Sequence, residues 1–176
     1  MHDKRKPRYD LPNAAPEPLR LVQRFVNTID LSHDREWLTA WLEEEGLGPL
    51  AESDLDRTRE VREAIRELLY ANNGQGKPGE YLEALSAAAE AARLTIDFAA
   101  QAVVPRVGGL DGLLGRVAVV CLETMKDGTW QRLKCCRNRD CRWAFYDYSK
   151  NRSATWCSME ICGNRTKTRA YRRRAR

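Results

Sequence analysis

Two cysteine pairs with the same spacing limit what the C-terminal part of this chain can form. Cys136 and Cys141 enclose RNRD, and Cys157 and Cys162 enclose SMEI. A four-residue spacer is at the long end of the range found between zinc-binding cysteines, but here it occurs twice. The fifteen residues between the pairs include aromatic residues that can form a hairpin and bring the pairs together. The pattern predicts a structural Zn²⁺ site with four thiolate ligands.

Three other roles can be considered for these cysteines. As buried apolar residues they would fit poorly beside the charged spacer residues Arg137, Arg139 and Asp140. Disulfides need an oxidising compartment, and the first residues, MHDKRKPRYDLP, contain no apolar run typical of a secretory signal. We therefore expect a cytoplasmic location. A thiol redox switch stays open, because zinc-bound thiolates can also be oxidised.

The residues around the cysteines resemble the CGNR zinc finger family. The order RLKCC, CRWAFYD, SKNRS and WCSMEICGNR is followed by a basic tail, and the family takes its name from the tetrapeptide at residues 162–165. The upstream segments RFVNTIDL and EWLTAWLEEEGL are similar to the ABATE domain, which usually accompanies such fingers. The resemblance covers nearly the whole chain. It implies a bacterial transcription regulator.

The resemblance also implies roles for individual residues. Its order places the first ligand two residues after Lys134, which selects Cys136 and leaves Cys135 as a spare thiol. Asn27 and Thr28, near the end of the first predicted helix, become candidate contacts for a small ligand. Their chemistry alone indicates only a polar helix terminus.

The residues after Cys162 predict a helix that starts at the metal site. Gly163 has no side chain to block the backbone from turning toward the sulfurs, and Asn164 is a favoured N-cap. The helix would then run through RTKTRAYRRRAR with its positive end toward the thiolates, which stabilises them. Without the neighbouring ligands, Gly163 and Asn164 would indicate an ordinary turn.

The net charge of +5 is divided unevenly along the chain. From Arg132 onward there are 14 Lys and Arg against 3 Asp and Glu, a net of +11. Residues 1–131 carry 16 Lys and Arg against 22 Asp and Glu, a net of −6. The final segment therefore attracts a polyanion, whereas the rest of the chain repels one.

Basic residues on the predicted final helix are spaced to share one side. The stripe consists of Arg165, Arg169, Arg172, Arg173 and Arg176, with Lys167 and Arg174 beside it. A basic stripe on a rigid helix fits a phosphate backbone, and such a helix could enter a major groove. We therefore predict a zinc-dependent DNA-binding transcription regulator. The alternatives are an RNA-binding module, an adaptor that docks on an acidic protein such as the transcription machinery, and a solvated tail.

Hydrophobic periodicity in the rest of the chain predicts a mainly α protein. Helices are expected near residues 19–29, 38–45, 53–71, 81–93 and 110–127, and a β-hairpin is expected from residues 94–98 and 102–107. The predicted fold is a helical N-terminal domain with a small β-hairpin, followed by a small zinc finger. The finger is expected to consist of a β-hairpin and a basic C-terminal helix.

The chain is expected to divide into three parts. These are a flexible basic and Pro-rich lead-in at 1–18, an ABATE-like helical domain at 19–130 and a CGNR-type zinc finger with its basic helix at 131–176. The connection is short, so Trp130 is expected to pack the finger against the helical domain. Cys121 lies on the apolar face of its predicted helix, which indicates a core position. The helical domain is expected to sense a ligand or to oligomerise, with a homodimer as one form.

The sequence contains no pattern typical of an enzyme. There is no HExxH, no Gly-rich phosphate loop and no Ser/His/Asp or Cys/His set, and four cysteines around zinc leave no position for water. We therefore expect a structural metal and no enzymatic activity. No apolar run is long enough to cross a membrane.

Overall fold

The computed structural model describes residues 8–76, 79 and 82–174, with the backbone alone at residues 169–171, 173 and 174. Its elements are α1 (Leu19–Val26), β1 (Ile29–Asp30), β2 (Arg35–Glu36), α2 (Leu38–Glu44), α3 (Glu52–Ala71), α4 (Leu82–Ala91), β3 (Thr95–Asp97), β4 (Ala102–Val104), α5 (Gly109–Asp127), β5 (Leu133–Cys135), β6 (Ala144–Tyr146) and α6 (Asn164–Arg174). A 3₁₀ turn at Trp130–Arg132 precedes β5, and a π-helical turn at Met159–Gly163 leads into α6. The predicted fold class is confirmed.

The apolar faces of α1, α3 and α5 form the centre of the core. Val22, Phe25, Ile65, Leu69 and Leu114 are completely buried there. Their spacing of three or four residues within a helix puts them on one side of it, which is why periodicity predicted these helices. Helix α4 packs against α3 and α5 and closes the helical layer.

Two short hairpins lie beside the helices. Strands β3 and β4 pair antiparallel, with Ile96 opposite Val103, as the β-branched residues predicted. Strands β1 and β2 form a second hairpin that the sequence did not indicate. Each of its strands has only two residues, which is too short for any alternation to be recognised.

The third hairpin joins the finger to the helical body. Strands β5 and β6 pair antiparallel with Leu133 opposite Tyr146, and all six of their residues are buried. Leu133, Cys135, Ala144 and Tyr146 belong to the same apolar core as the helices, and so does Trp130, as expected. One face of the hairpin is therefore part of the helical core, whereas Phe145 and the ligand cysteines form a second, smaller cluster.

Residues 8–18 pack against both the body and the finger. Tyr9 is 3 % exposed and stacks edge-on against Trp37 at a centroid distance of 6.4 Å. The carbonyl oxygen of Asn13 accepts a hydrogen bond of 3.0 Å from the Tyr146 N–H. Residues 8–18 are therefore packed and hydrogen-bonded to the finger, and the flexibility expected of the lead-in stays a prediction. Residues 1–7 of that lead-in lie outside the described residues.

Within the described part of the chain, no helix combines the length and the apolar character needed to cross a membrane.

Candidate metal centre

Four sulfur atoms converge at the end of the β5–β6 hairpin. The Sγ atoms of Cys136, Cys141, Cys157 and Cys162 all lie within 4.8 Å of one another. The Sγ of Cys157 is 3.6 Å from that of Cys141 and 3.8 Å from that of Cys162. Zinc–sulfur bonds of about 2.3 Å in a tetrahedron place the sulfurs about 3.8 Å apart. The arrangement therefore fits a structural Zn²⁺ ion, and the predicted cysteines come together.

The first pair lies in the loop of the β5–β6 hairpin. The Cys136 N–H donates to the Trp143 carbonyl oxygen at 2.9 Å, which extends the pairing one step beyond the strands. The Asn138 carbonyl oxygen then accepts from the Cys141 N–H at 2.9 Å and closes a tight turn between the ligands. The hairpin thus encloses the first cysteine pair, whereas we had expected it between the two pairs. The aromatic residues of β6 remain part of it.

The second pair is held by the start of the last helix. Ser158 caps the π-helical turn: its side chain accepts from the Ile161 N–H, and its carbonyl oxygen accepts from the Cys162 N–H at 3.0 Å. Asn164 has helical dihedrals (φ −67°, ψ −41°), so the prediction that Asn164 caps the helix is wrong. Because Cys162 itself lies in the first turn, the cap must precede it.

Close packing is the reason for a glycine after the last ligand. A Cβ atom on Gly163 would lie 2.5 Å from Sδ of Met159 and 3.3 Å from Cδ1 of Trp156. Gly163 is buried and part of the helical turn, so its role is to leave space for these two side chains. This differs from the backbone turn that the sequence suggested.

The four thiols influence one another's ionisation. Hydrogen bonds from the Cys141 and Cys157 thiols lower the pKa of Cys136 to about 2, and the same contacts raise the pKa of both donors. One thiolate is thus stabilised at the expense of its neighbours. A divalent cation would remove this competition by supplying the charge that four adjacent thiolates require. The donor set is therefore that of a closed, four-thiolate zinc site.

The two remaining cysteines lie in the apolar core. Adjacent strand residues point to opposite faces, so Cys136 faces the other ligands while Cys135 faces the helices. Burial raises the pKa of Cys135 to about 12, and burial likewise raises the pKa of Cys121 to about 12. The predictions that Cys135 is spare and that Cys121 is a core residue are confirmed.

Aromatic side chains surround the metal centre. Phe145 is 1 % exposed and packs with the ligand cysteines, while Trp143 and Trp156 lie against this small cluster. Trp143 and Phe145 are two residues apart, so they share one face of the hairpin. The intervening Ala144 faces the helical core instead.

A buried ion pair supports the loop between β6 and Cys157. The Lys134 ammonium donates to Oδ2 of Asp147 at 2.7 Å and to the Arg152 carbonyl oxygen at 2.6 Å. Asp147 also accepts from the N–H groups of Ser149 and Ala154 at 2.9 and 3.0 Å. Burial is the largest single influence on the pKa of Asp147 and raises it, but the hydrogen bonds from Lys134 and Ser149 together with the Lys134 charge outweigh burial, so the pKa of Asp147 is lowered. Sequence reasoning did not identify this pair.

Asn27 and Thr28 are both completely buried. The Asn27 side chain donates to the Ala144 carbonyl oxygen at 2.9 Å and to the Tyr9 carbonyl oxygen at 2.7 Å. Thr28 donates to the Phe25 carbonyl oxygen at 2.9 Å. The expected contact with a small ligand stays a prediction. Here both side chains bind the protein's own backbone.

Three polar residues of α3 and its C-terminal end also hold the finger. Asn73 donates from one nitrogen to the carbonyl oxygens of Cys135 and Thr155 at 2.8 and 2.9 Å. Asn72 donates to two carbonyl oxygens, those of Trp130 and Leu133, and Arg66 donates to that of Arg142 at 3.0 Å. Asn72 and Asn73 follow directly after the helix predicted near residues 53–71, where a local pattern indicates no more than a helix end. Their partners lie 58 to 82 residues away, which no local pattern reveals.

Helix α6 follows directly from the second ligand pair. Its described side chains Arg165, Lys167 and Arg172 are exposed. The side chains of Arg169, Arg173 and Arg174, and all of Arg176, lie outside the described residues.

Comparison with known families assigns both parts of the chain. Residues 132–175 match the CGNR zinc finger, and residues 19–128 match ABATE, a family described as "putative stress-induced transcription regulator". No curated protein matches the chain. The order of the two matches confirms the resemblance found in the sequence. The ABATE match spans more than half of the chain, which therefore belongs to the ABATE family and carries a CGNR zinc finger after it.

Proposed function

We propose that this protein is a zinc-dependent DNA-binding transcription regulator whose finger presents α6 to DNA. The observation that carries the proposal is the position of α6. The helix begins two residues after the ligand Cys162 and has exposed cations from its first turn onward. A metal ion at the four cysteines would therefore fix the direction in which this basic helix leaves the protein.

The charge of the finger is concentrated on its exposed residues. Within it, Lys134 is buried in the ion pair with Asp147, Arg132 donates to the Asp147 carbonyl oxygen, and Arg142 contacts Glu67. The described cations that remain exposed are Arg137, Arg139, Lys150, Arg152, Arg165, Lys167 and Arg172. Such a surface matches the regular negative charge of a nucleic acid backbone.

The dimensions of α6 suit a groove of duplex DNA. A helix of eleven residues is about 16 Å long, and a helix fits the width of the major groove. Arg165 and Arg172 are seven residues apart, which places them on the same side two turns apart. Arginines that bind phosphates would give affinity, and those that reach base edges would give specificity.

Zinc would act as a scaffold in this function. The cluster around Phe145 is small, so metal binding would contribute a large part of the free energy that holds the ligand loops, about 10 kcal/mol or more for structural zinc. Once the four cysteines bind zinc, residues 157–165 would be held in one geometry. The conformational entropy lost on ordering the start of α6 would then not reduce the affinity for DNA.

Charge reversal with an unchanged metal content tests the proposal. Arg165→Glu combined with Arg172→Glu should weaken binding to duplex DNA by about 100-fold or more, because two contacts to the nucleic acid become repulsive, while bound zinc stays at the wild-type level. The matched control is Arg106→Glu with Arg116→Glu, two exposed arginines of the helical body. Fluorescence anisotropy and metal analysis provide the two readouts. A wild-type DNA affinity in the variant with Arg165→Glu and Arg172→Glu would contradict the proposal.

Salt dependence and competition identify the kind of partner. If about five phosphates are neutralised, the logarithm of the binding constant should fall with the logarithm of salt concentration with a slope of roughly −4 to −5. Competition between duplex DNA and structured RNA in the same assay would distinguish a DNA regulator from an RNA-binding module. No binding to either at moderate salt would favour an adaptor that docks on an acidic protein.

The helical body is the part to which we assign sensing or oligomerisation. It carries the ABATE match, and its surface is more acidic than that of the finger. Sedimentation of the zinc-loaded protein with and without an operator duplex would show whether a homodimer forms.

A further inference from the structure

An open cavity lies beside the metal centre, with ligand cysteines forming part of its wall. It has a volume of about 520 Å³ and is lined by three ligands, Cys141, Cys157 and Cys162. The rest of the lining comes from distant parts of the sequence, including Leu11 before α1 and His33 in the turn between β1 and β2. The helical body thus helps to enclose a space that leads to the metal ligands.

The lining of the cavity suits a small organic molecule. Leu11, Trp143 and Ile161 contribute apolar surface, and Ile161 is 54 % exposed in the described structure. Arg165 supplies a positive charge at the same cavity. A pocket that combines apolar walls with a few polar groups is typical of small-molecule sites.

The four ligands differ in access from solvent. Cys136, Cys157 and Cys162 are 0, 7 and 3 % exposed, whereas Cys141 is only half-buried. Cys162 also accepts a hydrogen bond of 3.7 Å from the Asn138 amide, which reduces the electron density available on its sulfur. Of the three ligand residues that line the cavity, Cys141 is therefore the most exposed.

We propose that Cys141 is a modification site for organic hydroperoxides that bind in this cavity. The Cys141 thiolate attacks the terminal peroxide oxygen, so that an S–O bond forms while the O–O bond breaks, and the departing alkoxide takes a proton from water. The Cys157 sulfur, 3.6 Å away, then attacks the sulfenic acid, forming a disulfide and releasing hydroxide. Two thiolates lose two electrons and the peroxide is reduced to an alcohol. The centre loses two of its four ligands, and this inference does not depend on DNA binding.

The test compares two peroxides on the zinc-loaded full chain. Cumene hydroperoxide carries an apolar ring, whereas hydrogen peroxide gains nothing from the apolar lining. We expect cumene hydroperoxide to release zinc about ten-fold faster at equal concentration, which corresponds to ~1.4 kcal/mol of binding. A chromogenic chelator follows the zinc. Mass spectrometry with dimedone as a trap should find the first sulfenic acid at Cys141 and a final disulfide between Cys141 and Cys157.

Two variants distinguish binding of the peroxide in the cavity from the general reactivity of the thiolates. Ile161→Asp places a carboxylate in the apolar lining and should slow release by cumene hydroperoxide to the rate seen with hydrogen peroxide. Leu122→Asp, at a residue of similar exposure on α5, should change neither rate. If Ile161→Asp lowers zinc content, Ile161→Thr serves the same purpose. First modification at another cysteine, or equal slowing of both peroxides by the Ile161 variant, would overturn the proposal.

Discussion

Asn27 pairs with both backbone groups of Ala144 across 117 residues of sequence. Its Nδ2 donates to the Ala144 carbonyl oxygen at 2.9 Å, and its Oδ1 accepts from the Ala144 N–H at 2.7 Å. The Asn27 side chain thus pairs with β6 as a neighbouring strand would, and it connects α1 to this finger strand. Since Ala144 lies three residues after the ligand Cys141, this contact links the helical body directly to the metal centre.

Removal of the Asn27 amide should destabilise both parts of the protein together. Asn27→Ala leaves the buried Ala144 N–H without its side-chain partner, whereas the Ala144 carbonyl oxygen still accepts from Nε2 of Gln23 at 3.2 Å, so we expect a cost of about 1–3 kcal/mol. We expect a single cooperative unfolding transition at lower denaturant concentration, and weaker zinc retention against a chelator. Asn151→Ala, at an exposed residue of the finger, is the control. Loss of zinc with unchanged stability of the helices would show that the two parts are independent.

Adjacent cysteines should behave in opposite ways when replaced. Cys136→Ala removes a ligand and should abolish stoichiometric zinc binding, because three thiolates leave the site incomplete. Cys135→Ala changes only the apolar core and should keep full zinc content with a loss of about 1 kcal/mol in stability. Metal analysis of the purified variants provides the readout. Zinc loss in the Cys135 variant, with zinc retained in the Cys136 variant, would reverse the ligand assignment.

The buried ion pair should be needed for the geometry of the loop that leads to Cys157. Asp147→Asn leaves the buried Lys134 ammonium without a countercharge, which typically costs about 3–5 kcal/mol. We expect a lower melting temperature and faster zinc loss to a chelator at neutral pH. Asp127→Asn, at an exposed carboxylate, should have little effect. A wild-type melting temperature in the Asp147 variant would mean that the ion pair contributes no net stability.

The side chain that opposes a larger residue at position 163 is flexible, so the effect of Gly163→Ala should be modest. The new Cβ would lie 2.5 Å from the Met159 sulfur, and Met159 is 50 % exposed, so it can move aside. We expect a loss of about 1 kcal/mol. Met159→Ala should cancel most of this loss in the double variant, which a double-mutant cycle would measure. If the stability losses of the two single variants simply add, the clash does not involve Met159. Trp156, at 3.3 Å from the new Cβ, would then be the next candidate.

Local patterns were sufficient for the helices and the ligand set. The periodicity of α1, α3 and α5 and the repeated spacer between cysteines are properties of neighbouring residues, so they can be read without the fold. The cap was misassigned because Asn164 and Ser158 are both good N-caps, and only the position of Cys162 within the helical turn decides between them.

The amino-acid sequence was enough to identify the four cysteines that come together, most of the helical segments, the region where positive charge accumulates and the family. The three-dimensional fold was needed to show that the finger strands join the helical core, that residues 8–18 pack against them and that Cys141 lines a cavity. The physical reason is that these features depend on contacts between residues more than a hundred positions apart, such as Asn13 with Tyr146 and Asn27 with Ala144. Such contacts form only when the helices and the finger pack against each other, so local sequence patterns do not predict them.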